Sequence, residues 1–491
     1  MDTPKDSLRQ LSTVQKRRGE DFFQRPLSEA VFHFVNASHP EEFKSKSTQK
    51  RIRGHVMTVE GRKRRKLPRF IALEINAPSK PSPASSLSHN NEPFDFGRGT
   101  TALSKLVPHS LTFHGAYPIE PNARARELIH FMHTEGDSLF RPFRYEWHAI
   151  ALVDSSAFHL YLANAALFLF QVSNKSSIEY GDCVEAGQYF GTCLAQLARR
   201  IGNQSDSTSP GLITTILGLL CYNSCRGRWD MTQIHMDALE RIMQLRGGFH
   251  GLESNVLFFT AWFDVLVSSF YDTLPRFAVS SQISDIALSR GTLAPDLQAI
   301  LHSLQEFEQL QGIAKCLERV ACLASYVNSN SERPRFWRNS VEAGKLIIPI
   351  SHSLLSLPKC SDVSESPEKN PVELIEDMVR IALLAQLAAL KRYCSLIADE
   401  LPALQTRFTA LLDMGRTQFP KLELWAVVSM ALMMNGQRKL YVKTICQLMK
   451  RMSLRDAEEA VKDVKRVIWI ERISSQNSQA LEAEIDEEYA R

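Results

Sequence analysis

From Pro121 onward, apolar positions recur at helical intervals of three and four, and no stretch settles into the alternation of a strand. Five segments carry the pattern most clearly: ARARELIHFMH (123–133), DCVEAGQYFGTCLAQLARRIG (182–202), GLITTILGLLCYN (211–223), DMTQIHMDALERIMQLRGG (230–248) and ELIEDMVRIALLAQLAALKRYCSLIADE (373–400). In the fourth, Ile234, Ala238, Ile242 and Leu245 fall on one apolar stripe, and Gly247-Gly248 supply a left-handed stop. Two more apolar runs, LYLANAALFLF (160–170) and VLFFTAWFDVLVSSFY (256–271), are too short to span a bilayer, and Asp264 interrupts the second. They read as buried core helices. A polar break at 357–372 divides the region, and the acidic LEAEIDEEYAR at the end reads as a frayed tail over 476–491. The pattern therefore predicts an all-α domain over 122–475.

Upstream the pattern changes. Residues 1–29 are polar, charged and read as disordered, and AVFHFVN (30–36) alternates weakly, as a short strand would. Ser38-His-Pro-Glu41 has the order of a capping box, opening a predicted helix from about residue 40 to about 66. On that helix Lys46, Lys50, Arg53 and Arg64 share one side, while Ile52, Val56 and Val59 share another. Gly54 and Gly61 each cost such a helix roughly 1 kcal/mol, which favours formation on binding. Seven prolines among residues 76–121, with SKPSPASSLSHNN between them, predict an extended linker.

Charge sharpens the picture in one place only. The 491-residue chain is +4 overall, yet Lys44–Arg69 alone holds eleven Lys or Arg against a single acid, Glu60. The remaining 465 residues are therefore net acidic, at −6. Nine cysteines, the first at Cys183, are scattered through helical segments and do not form the framework of a small disulfide-rich domain. The first residues, MDTPKDSLRQ, lack an apolar signal core, so the expected location is inside the cell.

Catalytic signatures do not emerge. The sequence has no phosphate-binding Gly-x-x-x-x-Gly-Lys-Ser/Thr, no Gly-x-Gly-x-x-Gly after a strand, no Gly-x-Ser-x-Gly and no His-Glu-x-x-His. Glu127, His130 and His133 lie three apart on one helix side, but their apolar neighbours favour ordinary side-chain packing over metal ligation. Cys221 and Cys225 sit one turn apart without a second matching pair, so they read as small apolar residues. No cofactor and no metal is expected. The basic stretch is the remaining candidate. Lys50-Arg51, then eleven residues, then Lys63-Arg64-Arg65-Lys66 has the two-cluster form of a nuclear import signal. With Arg53 and Arg62, the same side chains can also contact DNA phosphates by counterion release. A merely solvated charged helix is the third reading.

The segment Trp229–Phe277 resembles the central block of the fungal-specific transcription factor regulatory domain, the helical region that accompanies zinc-cluster regulators. The matching positions are Trp229, His235, Arg246-Gly247-Gly248, Trp262-Phe263-Asp264 and Pro275-Arg276-Phe277. YPIEPNARARELIHFMH (117–133) resembles the opening of that domain. FVNASHPEEFKSKSTQKRIRGHVM (34–57) is similar to the N-terminal signature of fungal proteins bearing it, some automatically named as tachykinin family. Together the likeness covers about 30–75 and 115–450. It departs from the family in having no cysteine before Cys183, so the usual six-cysteine cluster has no ligands in this N-terminal segment. The glycines fit a helix stop, Trp229 and Trp262 fit a core, and Asp264 fits an acceptor for a nearby helix or for Arg246.

The resemblance implies a nuclear transcriptional regulator without catalysis. Its helical domain would serve dimer contact, partner contact or effector response, and Lys50, Arg51, Arg53, Arg62, Lys63, Arg64, Arg65 and Lys66 would serve import and DNA-phosphate contact. The alternatives are a helical adaptor or co-regulator that does not touch DNA, and a small-molecule-binding helical protein. No membrane contact is expected.

Overall fold

The computed structural model describes residues 117–134, 143–173, 183–201, 206–280, 283, 293–359, 370–433 and 437–491. The segments read as a disordered start, a basic helix and the greater part of the linker lie outside them. All described residues belong to one compact unit, Gly97–Arg491. Among them there are sixteen α-helices, two short 3-10 turns and no strand, so the fold class is all-α.

The first half begins with α1 (Ala123–Thr134), α2 (Arg144–Ala151), α3 (Ser155–Ser173), α4 (Val184–Ile201) and α5 (Pro210–Cys225). Helix α3 is the hub, touching α1, α2, α4 and α5. Asp154 starts it by accepting from the Ser156 backbone N–H at 2.8 Å, and Arg200 of α4 donates to the same carboxylate at 2.8 Å. Ser209 caps α5 through the Leu212 N–H, with Pro210 in the first turn where no donor is needed. Helices α3 and α5 approach so closely at Gly218 that an added Cβ would stand 2.7 Å from Leu160 Cδ1.

Next come α6 (Trp229–Arg246), α7 (Ser254–Tyr271), α8 (Pro295–Gln305), α9 (Gln311–Asn330) and α10 (Ser340–Leu355). Gly247 at φ 78° and Gly248 at φ 107° end α6, and the Gly248 N–H closes back on the Met243 carbonyl at 2.9 Å. The buried face of α6 is not the anticipated one. Trp229, Thr232, Met236, Leu239 and Met243 face inward with Ile242, whereas Ile234 and Leu245 are exposed. On that buried side Trp229 is stacked 4.4 Å from the Phe270 ring of α7.

The remainder is α11 (Pro371–Tyr393), α12 (Leu401–Leu412), α13 (Pro420–Met433), α14 (Arg438–Met452), α15 (Ala457–Lys465) and α16 (Glu471–Tyr489). The single helix expected over 373–400 is broken: α11 stops at Tyr393, and Ser395 takes φ 60° before α12 begins. Helix α11 is buried along nearly its whole length, against α9, α10, α12, α13 and α16. The end of the chain is also a correction. Helix α16 continues through the expected frayed tail and buries Ser478, Leu481 and Ile485. Its acids occupy the outer side, and Asp486 accepts from the Ala457 N–H at 2.9 Å. Toward the start, the Tyr117 ring meets Phe158 at 5.5 Å.

One buried ionic network ties the two halves of the domain together. Arg380 of α11, 2% exposed, donates to Asp272 at the end of α7 at 2.7 and 3.2 Å and to Asp377 at 3.0 Å. Arg407 of α12 donates to the Phe270 carbonyl at 2.9 Å. A buried ion needs such partners, because its desolvation is otherwise uncompensated.

Candidate functional site: an aromatic cavity beside a motif clamp

The family-like residues of 229–277 converge on one clamp. Asp264 of α7 is 1% exposed and accepts from the backbone N–H of Arg276 at 3.0 Å and of Phe277 at 2.8 Å. Burial pushes its carboxyl above the ordinary range, opposed by those two N–H bonds. The chain after Pro275 is thus folded back on α7. The Phe277 ring meets Phe249 edge-on at 5.5 Å, its carbonyl lies 2.9 Å from His352 Nε2, and the Arg276 guanidinium reaches Asp237 of α6 at 2.6 Å. Arg246 does not meet Asp264. It donates to the carbonyls of Thr208 at 3.0 Å and His250 at 2.8 Å, holding the turn behind Gly247-Gly248. His235 is half-buried, and burial lowers its pKa.

Beside this clamp lies a cavity of about 450 Å³ that sequence reasoning missed. Helix α2 contributes Phe143 and Trp147, and α7 contributes Phe259, Trp262 and Phe263. Phe143 meets Trp262 at 5.3 Å and 68°, and Phe259 at 5.5 Å and 90°; Trp147 meets Phe259 at 4.9 Å and 78°. These edge-to-face contacts fix the rings in one arrangement. The end of α5 adds Cys221, Ser224, Cys225 and Arg226. The broken turn after α11 adds Ser395 through Ile397 and Asp399. That turn is anchored by a buried ion pair, Lys391 with Glu400, and the Lys391 ammonium lies 5.7 Å from the Trp262 ring centre.

Besides two thiols, the polar side chains of the cavity are Gln171, Ser224, Arg226, Ser395 and Asp399. Trp147 is 6% exposed, and its indole N–H has no hydrogen-bond partner among the described residues. The Arg226 guanidinium is half-buried over the Tyr222 ring at 5.2 Å, and no carboxylate among the described residues pairs with it. Asp399, exposed at the rim, is within hydrogen-bonding reach of the Trp229 side chain. Hydrogen bonding with Cys225 and burial push the Cys221 thiol well above its ordinary range.

The other candidates do not converge. Glu127 and His130 are exposed, and Glu127 pairs with Arg124 at 2.7 Å. His133 turns inward to meet His148 at 4.6 Å between ring centres, and burial lowers their pKa values to about 4 and about 3. Among the described residues no group of three or more His, Cys, Asp or Glu is placed to hold a metal ion, and no helix is long and apolar enough to cross a membrane. Lys50, Arg51, Arg53, Arg62, Lys63, Arg64, Arg65 and Lys66 lie outside the described residues. The aromatic pairs Phe258-Phe259 and Trp262-Phe263, one turn apart, were the signal in the sequence that could have pointed to the cavity.

No curated protein and no solved structure matches the chain. A family model described as the fungal specific transcription factor domain matches residues 127–436, a span that contains the clamp and the cavity. With more than half its length matched, the chain belongs to the fungal-specific transcription factor domain family.

Proposed function

We propose that this chain is a nuclear transcriptional regulator that works by binding and not by catalysis. The observation that carries the reading is the family match over 127–436. The helical body gives such a regulator a rigid platform for a partner protein or a second copy. The basic segment 44–69 supplies the import signal, with Lys50-Arg51 and Lys63 to Lys66 as its two clusters. The same cations grip DNA phosphate, and 76–121 acts as the tether between this segment and the helical body. Deleting 44–69 from a tagged protein should move it out of the nucleus; unchanged nuclear localisation would remove the import role. Purified protein should bind duplex DNA with an affinity that falls steeply with salt and varies little with sequence.

A second reading is a co-regulator that reaches chromatin only through a partner. The cysteine map favours it, because nothing before Cys183 can supply thiolates for a DNA-reading zinc cluster within this sequence. This reading makes the same localisation prediction but yields no duplex binding by the purified protein.

A further inference from the structure

We infer that the aromatic cavity is a binding site for a flat aromatic molecule that carries an anionic oxygen, and that this molecule acts as an effector of the helical domain. The volume of about 450 Å³ falls within the range of small-molecule pockets, roughly 300–1,000 Å³. Its walls are ring faces and edges from α2 and α7, held by their mutual contacts before any ligand arrives. Such walls take a planar apolar body with little reorganisation.

One charged group then chooses the polar end. The Trp147 indole N–H is itself shut off behind the rings, so the ring and not the N–H forms the wall. Arg226 presents a guanidinium on the cavity wall without a carboxylate partner among the described residues. The one acid of the lining, Asp399, stands at the exposed rim within reach of the Trp229 side chain. Gln171, Ser224 and Ser395 are neutral and can donate or accept, so Arg226 is the unpaired charge of the lining, and the fitting ligand brings acceptor oxygen with negative charge.

The site also has a route to the rest of the domain. A ligand here bridges α2, the end of α5, α7 and the α11–α12 turn, which are separate in sequence. Trp229, on the Asp399 side of the cavity, stacks on Phe270, whose carbonyl is held by Arg407. Occupancy thus favours one relative placement of α5, α6 and α7.

This inference rests on the cavity and stands apart from the nuclear role, which can hold or fail without it. The test is titration of the purified full chain with two probes that share a phenyl-naphthylamine skeleton, 1-anilinonaphthalene-8-sulfonate and N-phenyl-1-naphthylamine. Both brighten in apolar sites, and only the first carries an anion. One saturable site should bind the sulfonate about tenfold more tightly than the neutral probe, with partial quenching of tryptophan emission. Arg226→Ala should abolish that preference, and Arg226→Lys should keep part of it. Cys225→Phe, with unchanged helical circular dichroism, should exclude both probes by filling the cavity. The inference is overturned if neither probe binds, if binding does not saturate at one site, if the two probes bind equally to the unaltered chain, or if folded Arg226→Ala binds the sulfonate as tightly as before.

Discussion

Replacing Asp264 by alanine strikes the clamp at its centre. The carboxylate is 1% exposed and holds two backbone N–H groups, at 3.0 and 2.8 Å, twelve and thirteen residues down the chain. Hydrogen bonds to a charged acceptor are worth roughly 1.5–3 kcal/mol each, and unmet N–H groups add their own cost. Against this stands the desolvation of the carboxylate, which pushes its pKa upward. The balance is a loss of about 2–4 kcal/mol in holding the chain after Pro275 onto α7, since large single-site effects of this kind come from breaking a buried polar network. The protein supplies its own reporter. Arg276, 14% exposed in its side chain and bound to Asp237, is a tryptic site that opens only when this segment detaches. A loss of 2–4 kcal/mol raises the detached population about 30-fold to 1,000-fold, and cleavage at Arg276–Phe277 follows it when opening is fast. A mutant cleaved there within twofold of the unaltered rate would refute the clamp, because Asp264 would then be holding nothing.

Three further outcomes follow from the same geometry. Gly218→Val should lower the melting temperature by a loss of about 1–3 kcal/mol, because its Cβ would meet Leu160 at 2.7 Å, whereas Gly187→Ala on open α4 surface should gain about 0.5–1 kcal/mol. Gly247→Ala should cost about 1–2 kcal/mol by calorimetry, since an alanine at φ 78° places its Cβ against a carbonyl. Glu376, 7% exposed on α11, has its pKa raised to about 7 by burial and then by Asp377. The folded state therefore holds an extra proton between about pH 4.5 and 7, so this group's stabilising contribution is complete below that window and is lost as pH rises through it. Denaturation of Glu376→Gln should show a flatter decline than the unaltered chain across that window.

Much of the helical body was legible because helix spacing is a local property. The left-handed stop at Gly247-Gly248 was legible too, since glycine adopts positive φ without strain. The phase of α6 was not. Ile234, Ala238, Ile242 and Leu245 obey helical spacing as well as Trp229, Thr232, Met236, Leu239 and Met243 do, and packing against α5 and α7, with Trp229 on the Phe270 ring, decides between them. The break at Ser395 escaped notice because the apolar residues beyond it, Leu396 and Ile397, keep the pattern going while lining the cavity. The acid-rich end looked frayed because Leu481 and Ile485 are sparse, yet both are fully buried in α16. The cavity joins residues from Met132 to Asp399, and no local pattern announces such a meeting.

The claim that this chain regulates transcription from the nucleus is tested most directly by chromatin occupancy of the tagged full chain, with and without residues 44–69. The account predicts discrete, reproducible occupancy that is lost with the deletion while the helical body stays folded. A protein absent from chromatin in both forms would contradict it.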